Sequence, residues 1–315
     1  MDALSDVLRA LRISGGVFLD ADFTAPWCVV SRVGPEDFPN REDLPPSVVG
    51  FHYVVDGQMV VEIEGAAPVV VRAGEMVLLP RNDPHLLASE SGLRPAEPDP
   101  PVQRVEGGLM RIVYGGGGDA TRLVCGYIGT DVRRHPLLEA LPTAFALDLK
   151  GKPCADWVAA SFRFAAQEVA SGRAASETVL AKLSELLFVE AVRHYAENLP
   201  PDRKGWFAGL RDAAVGRALA LMHARVAHSW TTEELAAAVN LSRSAFADRF
   251  TQLVGAPPIT YLTEWRMQLA AARLRETPRS IGQIAAELGY ESEATFTRAF
   301  KRATGTAPGR YRAAH

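Results

Sequence analysis

Cysteine is scarce in this sequence: Cys28, Cys125 and Cys154 are the only three in 315 residues. An odd, scattered set excludes a disulfide framework and makes a reducing cytoplasm the expected setting. No apolar run approaches the ~18–20 residues that a membrane-spanning helix needs. Met1 to Ile13 alternates apolar and charged residues and lacks the apolar core of a signal peptide. A membrane partner is therefore not expected. Net charge is also slight, −3, but it is unevenly spread. From Arg203 to His315 there are 16 Lys+Arg against 9 Asp+Glu, a net of +7, so residues 1–202 carry −10. An acidic body with one basic end implies phosphate contact by that end alone.

The basic end carries one pattern written twice. Leu235, Val239, Asn240, Ser242, Phe246, Phe250, Gly255, Pro258 and Tyr261 form the first copy. Ile284, Leu288, Gly289, Ser292, Phe296, Phe300, Gly305, Pro308 and Tyr311 form the second, offset by 49 residues before the turn and 50 after it. Two copies make an internal duplication, not a repeat array. Each copy reads as helix, tight turn, helix. Thr231 with Glu234, and Ser280 with Gln283, are capping boxes that satisfy free N–H groups at a helix start. Asn240 and Gly289 suit the left-handed turn position, and Ser242 and Ser292 cap the second helix. Phe246 and Phe250, like Phe296 and Phe300, are four apart and share an inward face. This spacing defines a helix-turn-helix, whose second helix enters the DNA major groove.

The stretch from Ser229 to Arg312 resembles the DNA-binding domain of AraC-type (AraC/XylS) transcription regulators, including the linker helix over Trp265–Leu274. The resemblance covers about 100 residues. It implies two recognition helices in successive major grooves on one DNA face, about 34 Å apart. With the phenylalanines inward, the first recognition helix presents Arg243, Ser244, Ala247 and Asp248. The second presents Glu293, Ala294, Thr295 and Arg298. Arg298 can give two hydrogen bonds to guanine, Glu293 can accept from cytosine, and Thr295 or Ala294 can touch a thymine methyl. Arg249, Lys301 and Arg302 suit phosphates, which position without specifying. The first reader is chemically thin, since Ala247 and Asp248 stand where many relatives carry larger polar or basic side chains.

Residues 1–150 have another texture. Leu4, Val7, Leu8 and Leu11 mark a short amphipathic helix. Short strands follow over Trp27–Val33, Val48–Val55, Met59–Ile63, Val69–Val71, Met76–Leu79, Leu109–Tyr114 and Leu123–Ile128, with a hairpin turn at Asp56-Gly57. Such spacing predicts a β-sandwich or barrel. Ser89–Gly108, rich in Pro, Glu and Gly, predicts an interrupting loop. Phe51–Val54, then Gly74–Pro80 and His85, resemble the two motifs of cupins, small barrels with a pocket. Val124–Pro142 resembles the cupin-like sensor found ahead of some AraC-type domains.

Catalytic cupins present two His and a Glu from the first motif and one His from the second. Here His52 fits, but Val54 occupies the next ligand position, and Gln58 and Met59 stand around the Glu position. His52 and His85 alone make a poor site, because catalytic zinc normally has three protein ligands. Cys125 could add a third donor and His135 a fourth, and a thiolate would select zinc, the one candidate cofactor. The alternative is that His52 and His85 hydrogen-bond within the barrel while Cys125 packs as a small apolar residue. Cys28 is open to two readings as well, a redox-sensing thiol beside Arg32 or plain packing.

Between the two ends, Pro153–Ser171 and Ser176–Asn198 predict helices, the second with a broad apolar stripe from Val179 to Val192. That stripe serves either the barrel alone or also a two-fold dimer contact, the latter implied by the family resemblance. Leu199-Pro200-Pro201 and the residues to Gly205 read as a linker, and Trp206–Arg225 as a helix.

The expectation is an α+β chain in three parts: a cupin-like β-barrel sensor over 1–150, a helical linker and dimerisation segment over 151–204, and an all-α DNA-binding domain with two helix-turn-helix units over 205–315. Its expected role is a cytoplasmic, homodimeric, sequence-specific regulator, not an enzyme. It would bind double-stranded promoter DNA under a small-molecule, metal or redox effector, and contact RNA polymerase if it activates. The competing reading is a metal-dependent cupin enzyme with a regulatory helical tail.

Overall fold

The chain is seen in a computed structural model, described for residues 3–11, 13–14, 18–38, 45–97, 102–104, 110–130, 136–148, 156–162, 164, 176–200 and 205–313. It divides into two units, Ile13–Glu197 and a second one made of Met1–Arg12 with Asn198–His315.

The first unit is built by alternation. Along β4 (Ser47–Asp56) and β5 (Gln58–Ile63), inward Val54, Met59 and Val61 bury their side chains in one core. Asp56-Gly57 turns the chain between them. Gly57 has φ +77°, and the Asp56 carboxylate accepts its N–H at 2.9 Å, but the turn does not close the hairpin expected there: β4 and β5 pair with other strands, in different sheets. The other strands are β1 (Ile13–Ser14), β2 (Phe18–Thr24), β3 (Cys28–Ser31), β6 (Val69–Arg72), β7 (Glu75–Leu79), β8 (His85–Ala88), β9 (Gln103–Arg104), β10 (Met110–Gly115), β11 (Ala120–Thr130) and β12 (Phe145–Asp148). One sheet runs β12-β7-β4-β11-β2-β10-β9, with β1 paired to β11, and the other runs β3-β8-β5-β6. Phe23 and Trp27, stacked at 4.2 Å, lie in the core with Leu87, Leu123 and Cys125.

β2 is a central strand that the sequence reading missed. Its inward Ala21 and Phe23 alternate with Asp20 and Asp22, which face cations: Arg122 binds Asp20 at 3.0 Å and Arg111 binds Asp22 at 2.8 Å. β8 and β12 were missed too. The helix α2 (Pro136–Ala140) lies ahead of β12. Residues 156–162 are helical, and Phe162 stacks on Tyr53 of β4 at 4.1 Å. The long helix α3 (Ser176–Glu197) meets β11, β1 and β12 and buries Leu180, Leu187 and Val192, but Val179 and Leu186 stay exposed. Of the loop expected over Ser89–Gly108, residues 98–101 and 105–108 lie outside the described residues, as do His135, Cys154 and 201–204.

The second unit starts with the far end of the chain. Helix α1 (Ala3–Ala10) buries Ala3 and Val7, and Leu11 just after it, in the C-terminal unit. The three-part division expected, 1–150, 151–204 and 205–315, therefore differs from the compact units, which join 1–12 to the C-terminal residues and 151–197 to the barrel residues. The reason is long-range packing: an amphipathic helix specifies an apolar face but not its partner. The helix expected over Trp206–Arg225 is two helices, α4 (Trp206–Arg211) and α5 (Ala213–Ala224). They break at Asp212, whose side chain accepts from Ala214 and Val215 N–H and caps α5. Then come α6 (Thr232–Ala238), α7 (Arg243–Val254), α8 (Pro258–Glu276), α9 (Ile281–Glu287), α10 (Glu293–Thr304) and α11 (Pro308–Ala313).

Candidate DNA-binding site

Local chemistry places each reader. Thr231 accepts the Glu234 N–H while the Glu234 carboxylate accepts the Thr231 N–H at 2.9 Å, so α6 starts where the capping box predicts. Ser280 and Gln283 repeat the exchange for α9. Asn240 at φ +57° and Gly289 at φ +79° make the two turns. Ser242 accepts from the Ala245 N–H and Ser292 from the Thr295 N–H, starting α7 and α10. Each such cap is worth about 1 kcal/mol. Phe246, Phe250, Phe296 and Phe300 are fully buried, which fixes the opposite face of each helix outward.

That outward face holds the expected readers. Arg243, Ser244 and Asp248 are exposed on α7, with Ala247 partly covered, and Glu293, Ala294, Thr295 and Arg298 are exposed on α10. The two faces differ in how their charge is held. On α7, Arg243 is paired with Glu233 at 2.7 Å. Arg249 is paired with Asp212, its Nε donating at 2.9 Å to the carboxylate that caps α5. This pairing, with the cap, holds the Asp212 carboxyl below its ordinary range against the upward pull of burial. Arg249 thus fastens α7 to α5, a use of its charge that the sequence reading did not foresee. On α10, Arg298 reaches only the Thr295 hydroxyl, at 3.5 Å, and Lys301 and Arg302 have no acidic partner among the described residues.

Behind α7 lies a buried polar relay. Trp206 Nε1 donates to the Tyr261 hydroxyl at 3.3 Å, and that hydroxyl lies 2.8 Å from His223 Nε2. His223 stacks on Trp265 at 4.3 Å and faces Asp6 of α1 at 3.8 Å. Burial pushes its pKa down to about 4, so the ring is neutral at physiological pH.

In the barrel unit, His52 and His85 meet Nε2 to Nε2 at 2.8 Å. His85 Nδ1 sits 2.8 Å from the Asp83 carbonyl, which can only accept. His85 therefore carries its proton on Nδ1 and accepts at Nε2, and His52 donates from Nε2. His52 Nδ1 is then a bare acceptor, buried without a partner among the described residues. Burial lowers both pKa values; the His85 ring adds to the fall at His52, while Asp83 opposes it in part at His85. Cys125 is the register partner of His52 and shares its face, but burial holds the thiol protonated. Among the described residues no three His, Cys, Asp or Glu side chains are placed to hold a metal ion. A site of three or more donors would need one from outside them, such as His135. Cys28 is buried, its thiol 3.7 Å from the Leu93 carbonyl and its pKa raised by burial and by Glu62. That is the environment of an inert thiol. An open cleft of about 560 Å³ is lined by Asp22, Thr24, Asp56, Tyr114, Thr121 and Arg122 among others.

Fold and site together define a DNA-binding protein with an attached β-barrel domain. A cupin family model matches residues 2–197 and a helix-turn-helix domain model matches 235–314. A Streptomyces antibioticus protein named as an AraC-like transcription regulator is 33% identical over 99% of this chain and 98% of its own. The HTH-type transcriptional regulator AlkR of Acinetobacter baylyi is 25% identical over 99% of each. Among solved structures, the DNA-binding domain of AdpA in complex with a target DNA is 29% identical, over 33% of this chain and 92% of that one, with TM-score 0.32. The chain belongs to the AraC-type family of transcription regulators, with a cupin domain ahead of the helix-turn-helix domain. No helix among the described residues is long and apolar enough to cross a membrane.

Proposed function

We propose that this regulator reads a specific promoter sequence with α7 and α10 and changes its DNA affinity when the barrel unit receives a signal. One observation carries the reading: Arg298, Lys301 and Arg302 stand exposed on a capped recognition helix with no acidic partner among the described residues. Unneutralised cations on a groove-sized helix attract phosphate, and an arginine among them can read guanine. Arg298, Glu293, Thr295 and Ala294 read bases in this proposal. Arg243, Ser244, Ala247 and Asp248 add a weaker contribution from the first unit. Lys301 and Arg302 hold phosphates, and Arg249 acts through Asp212.

The barrel receives a small molecule, with the apolar interior around the unpartnered His52 Nδ1 and the open cleft beside Arg122 as the two places that offer polar atoms. The protein works as a cytoplasmic homodimer. Val179 and Leu186, seven residues apart on α3, form one exposed apolar strip, and symmetric dimers are the commonest soluble assembly. The regulator couples signal to DNA by a population shift, for which about 1–3 kcal/mol suffices.

Selection of duplexes from a random pool tests the reading. Enrichment of a defined sequence at moderate salt is expected. Equal retention of random duplex would overturn it. Sedimentation of the free protein tests the dimer, which Leu186→Lys is expected to weaken.

A further inference from the structure

The segment joining α5 to α6 belongs by sequence to the first helix-turn-helix unit, yet residues of α8 and of the second unit hold it. Arg266, midway along α8, donates from Nε to the Val226 carbonyl and from Nη2 to the His228 carbonyl, both at 2.9 Å. The same guanidinium lies over the Tyr290 ring, 5.8 Å from its centroid. Tyr290 follows the turn residue Gly289 and packs edge-on against Phe296 of α10 at 5.5 Å. Gly289 itself has no room for a side chain: a Cβ there would lie 2.2 Å from the Ala227 carbonyl oxygen. The backbone of the first unit's entry segment therefore touches the backbone of the second unit's turn. Val226 completes the contact by packing on the core that holds Phe296 and Phe300.

We infer that Arg266, together with Gly289 and Tyr290, is a positioning device that locks the two helix-turn-helix units into one rigid reader. The inference rests on the reading that α7 and α10 both meet DNA. The chemistry suits a lock. A planar guanidinium can hold two carbonyls and lie on a ring at once, whereas a lysine ammonium is a single compact charge. The carbonyls it binds belong to a segment outside any helix, whose acceptors need a partner where they are covered.

A locked reader has a fixed distance and phase between its recognition helices. One extra base pair between half-sites moves one half by about 3.4 Å and turns it by about 35°. The locked protein must then give up one half-site, whereas a hinged one can follow, limited only by the effective concentration of the second reader. Lost stability alone would lower the melting temperature without changing this spacing dependence.

The test uses the full chain and the duplex that it selects from a random pool. Affinity is measured on that duplex and on versions with one base pair inserted or deleted between the half-sites, for wild type, Arg266→Lys and Arg266→Met. Each protein is also melted thermally. Wild type is expected to lose about tenfold or more on insertion, since giving up even the weaker half-site loses at least one base contact, worth about 1–3 kcal/mol. Arg266→Met is expected to bind the parent duplex about tenfold more weakly yet lose only a few-fold on insertion, with Arg266→Lys between them. Where Arg266→Met does not melt cooperatively, Tyr290→Leu takes its place, with the same loosening expected in smaller degree. Wild type tolerating the insertion with only a few-fold loss overturns the lock. So does a folded Arg266→Met that keeps the wild-type spacing dependence. Enrichment of a single half-site would also overturn it while sparing sequence-specific binding; no enrichment at all would overturn that reading first, and the lock with it.

Discussion

The two helix-turn-helix units share caps, turn conformation and a pair of buried phenylalanines, but they spend their positive charge differently. On α7, Arg243 is answered by Glu233 and Arg249 by Asp212. On α10, Arg298, Lys301 and Arg302 face outward without an acidic partner among the described residues. A duplicated scaffold can thus keep its core and diverge on its surface. The first copy uses arginine for internal fastening; in the proposed function the second leaves it for the groove. Surface ion pairs like these add little stability, about 0–1 kcal/mol each, so the difference concerns what each cation is free to meet.

Changes to the shared core should break both halves alike, and by the largest amount. Phe296→Ala and Phe246→Ala each empty a fully buried ring site and are expected to cost about 3–5 kcal/mol, read as loss of melting temperature. A cost below about 1 kcal/mol in either would show that the two cores are not equivalent. Arg298→Ala, at the centre of the second reader, is expected to weaken binding of the selected duplex by about 1–3 kcal/mol and to relax preference at one base pair. The matching change on the first reader, Asp248→Ala, is expected to stay within about 0.5 kcal/mol.

The relay at His223 separates the first unit's fold from its reader. Its pKa is lowered to about 4 from an ordinary 6.5, so the unfolded chain takes up the proton first as pH falls. Stability is therefore full above about pH 6.5 and is lost between there and about pH 4, on the order of 3 kcal/mol in all. Asp6, facing the ring at 3.8 Å, would offset part of this once the ring is charged. Melting temperature against pH should fall across that window in wild type and fall less in His223→Gln. A smaller effect on stability is expected of Asp212→Asn. An amide keeps a capping oxygen but loses the charge facing Arg249, costing about 0.5–1 kcal/mol in stability with little change in DNA binding.

The contrast between the copies also marks what a sequence can disclose. The caps Thr231, Ser242, Ser280 and Ser292, the turns at Asn240 and Gly289, and the i, i+4 phenylalanines were all readable, because each acts within one or two helical turns. The outward positions of α7 and α10 followed from them. The partner of Arg249 was not readable, since Asp212 lies 37 residues away and meets it only in the fold. The helix break at that same Asp212 was signalled by its capping ability and overlooked. β2 carried a readable alternation of Ala21 and Phe23 with Asp20 and Asp22, but paired carboxylates on a central strand disguise it as a loop. The docking of α1 in the C-terminal unit had no local signal. In the barrel, the resemblance to cupin motifs brought His52 and His85 together but left open whether they face a metal or each other; the Asp83 carbonyl fixes their tautomers.

The unequal use of charge is tested most directly by the salt dependence of binding to the selected duplex. The slope of log K against log salt should be measured for wild type, Lys301→Ala/Arg302→Ala and Arg243→Ala/Arg249→Ala. Each phosphate contact contributes about 0.9 to that slope. The second-unit pair is expected to reduce it by nearly 2 and the first-unit pair to leave it almost unchanged. A loss of slope confined to the first-unit pair would contradict the account.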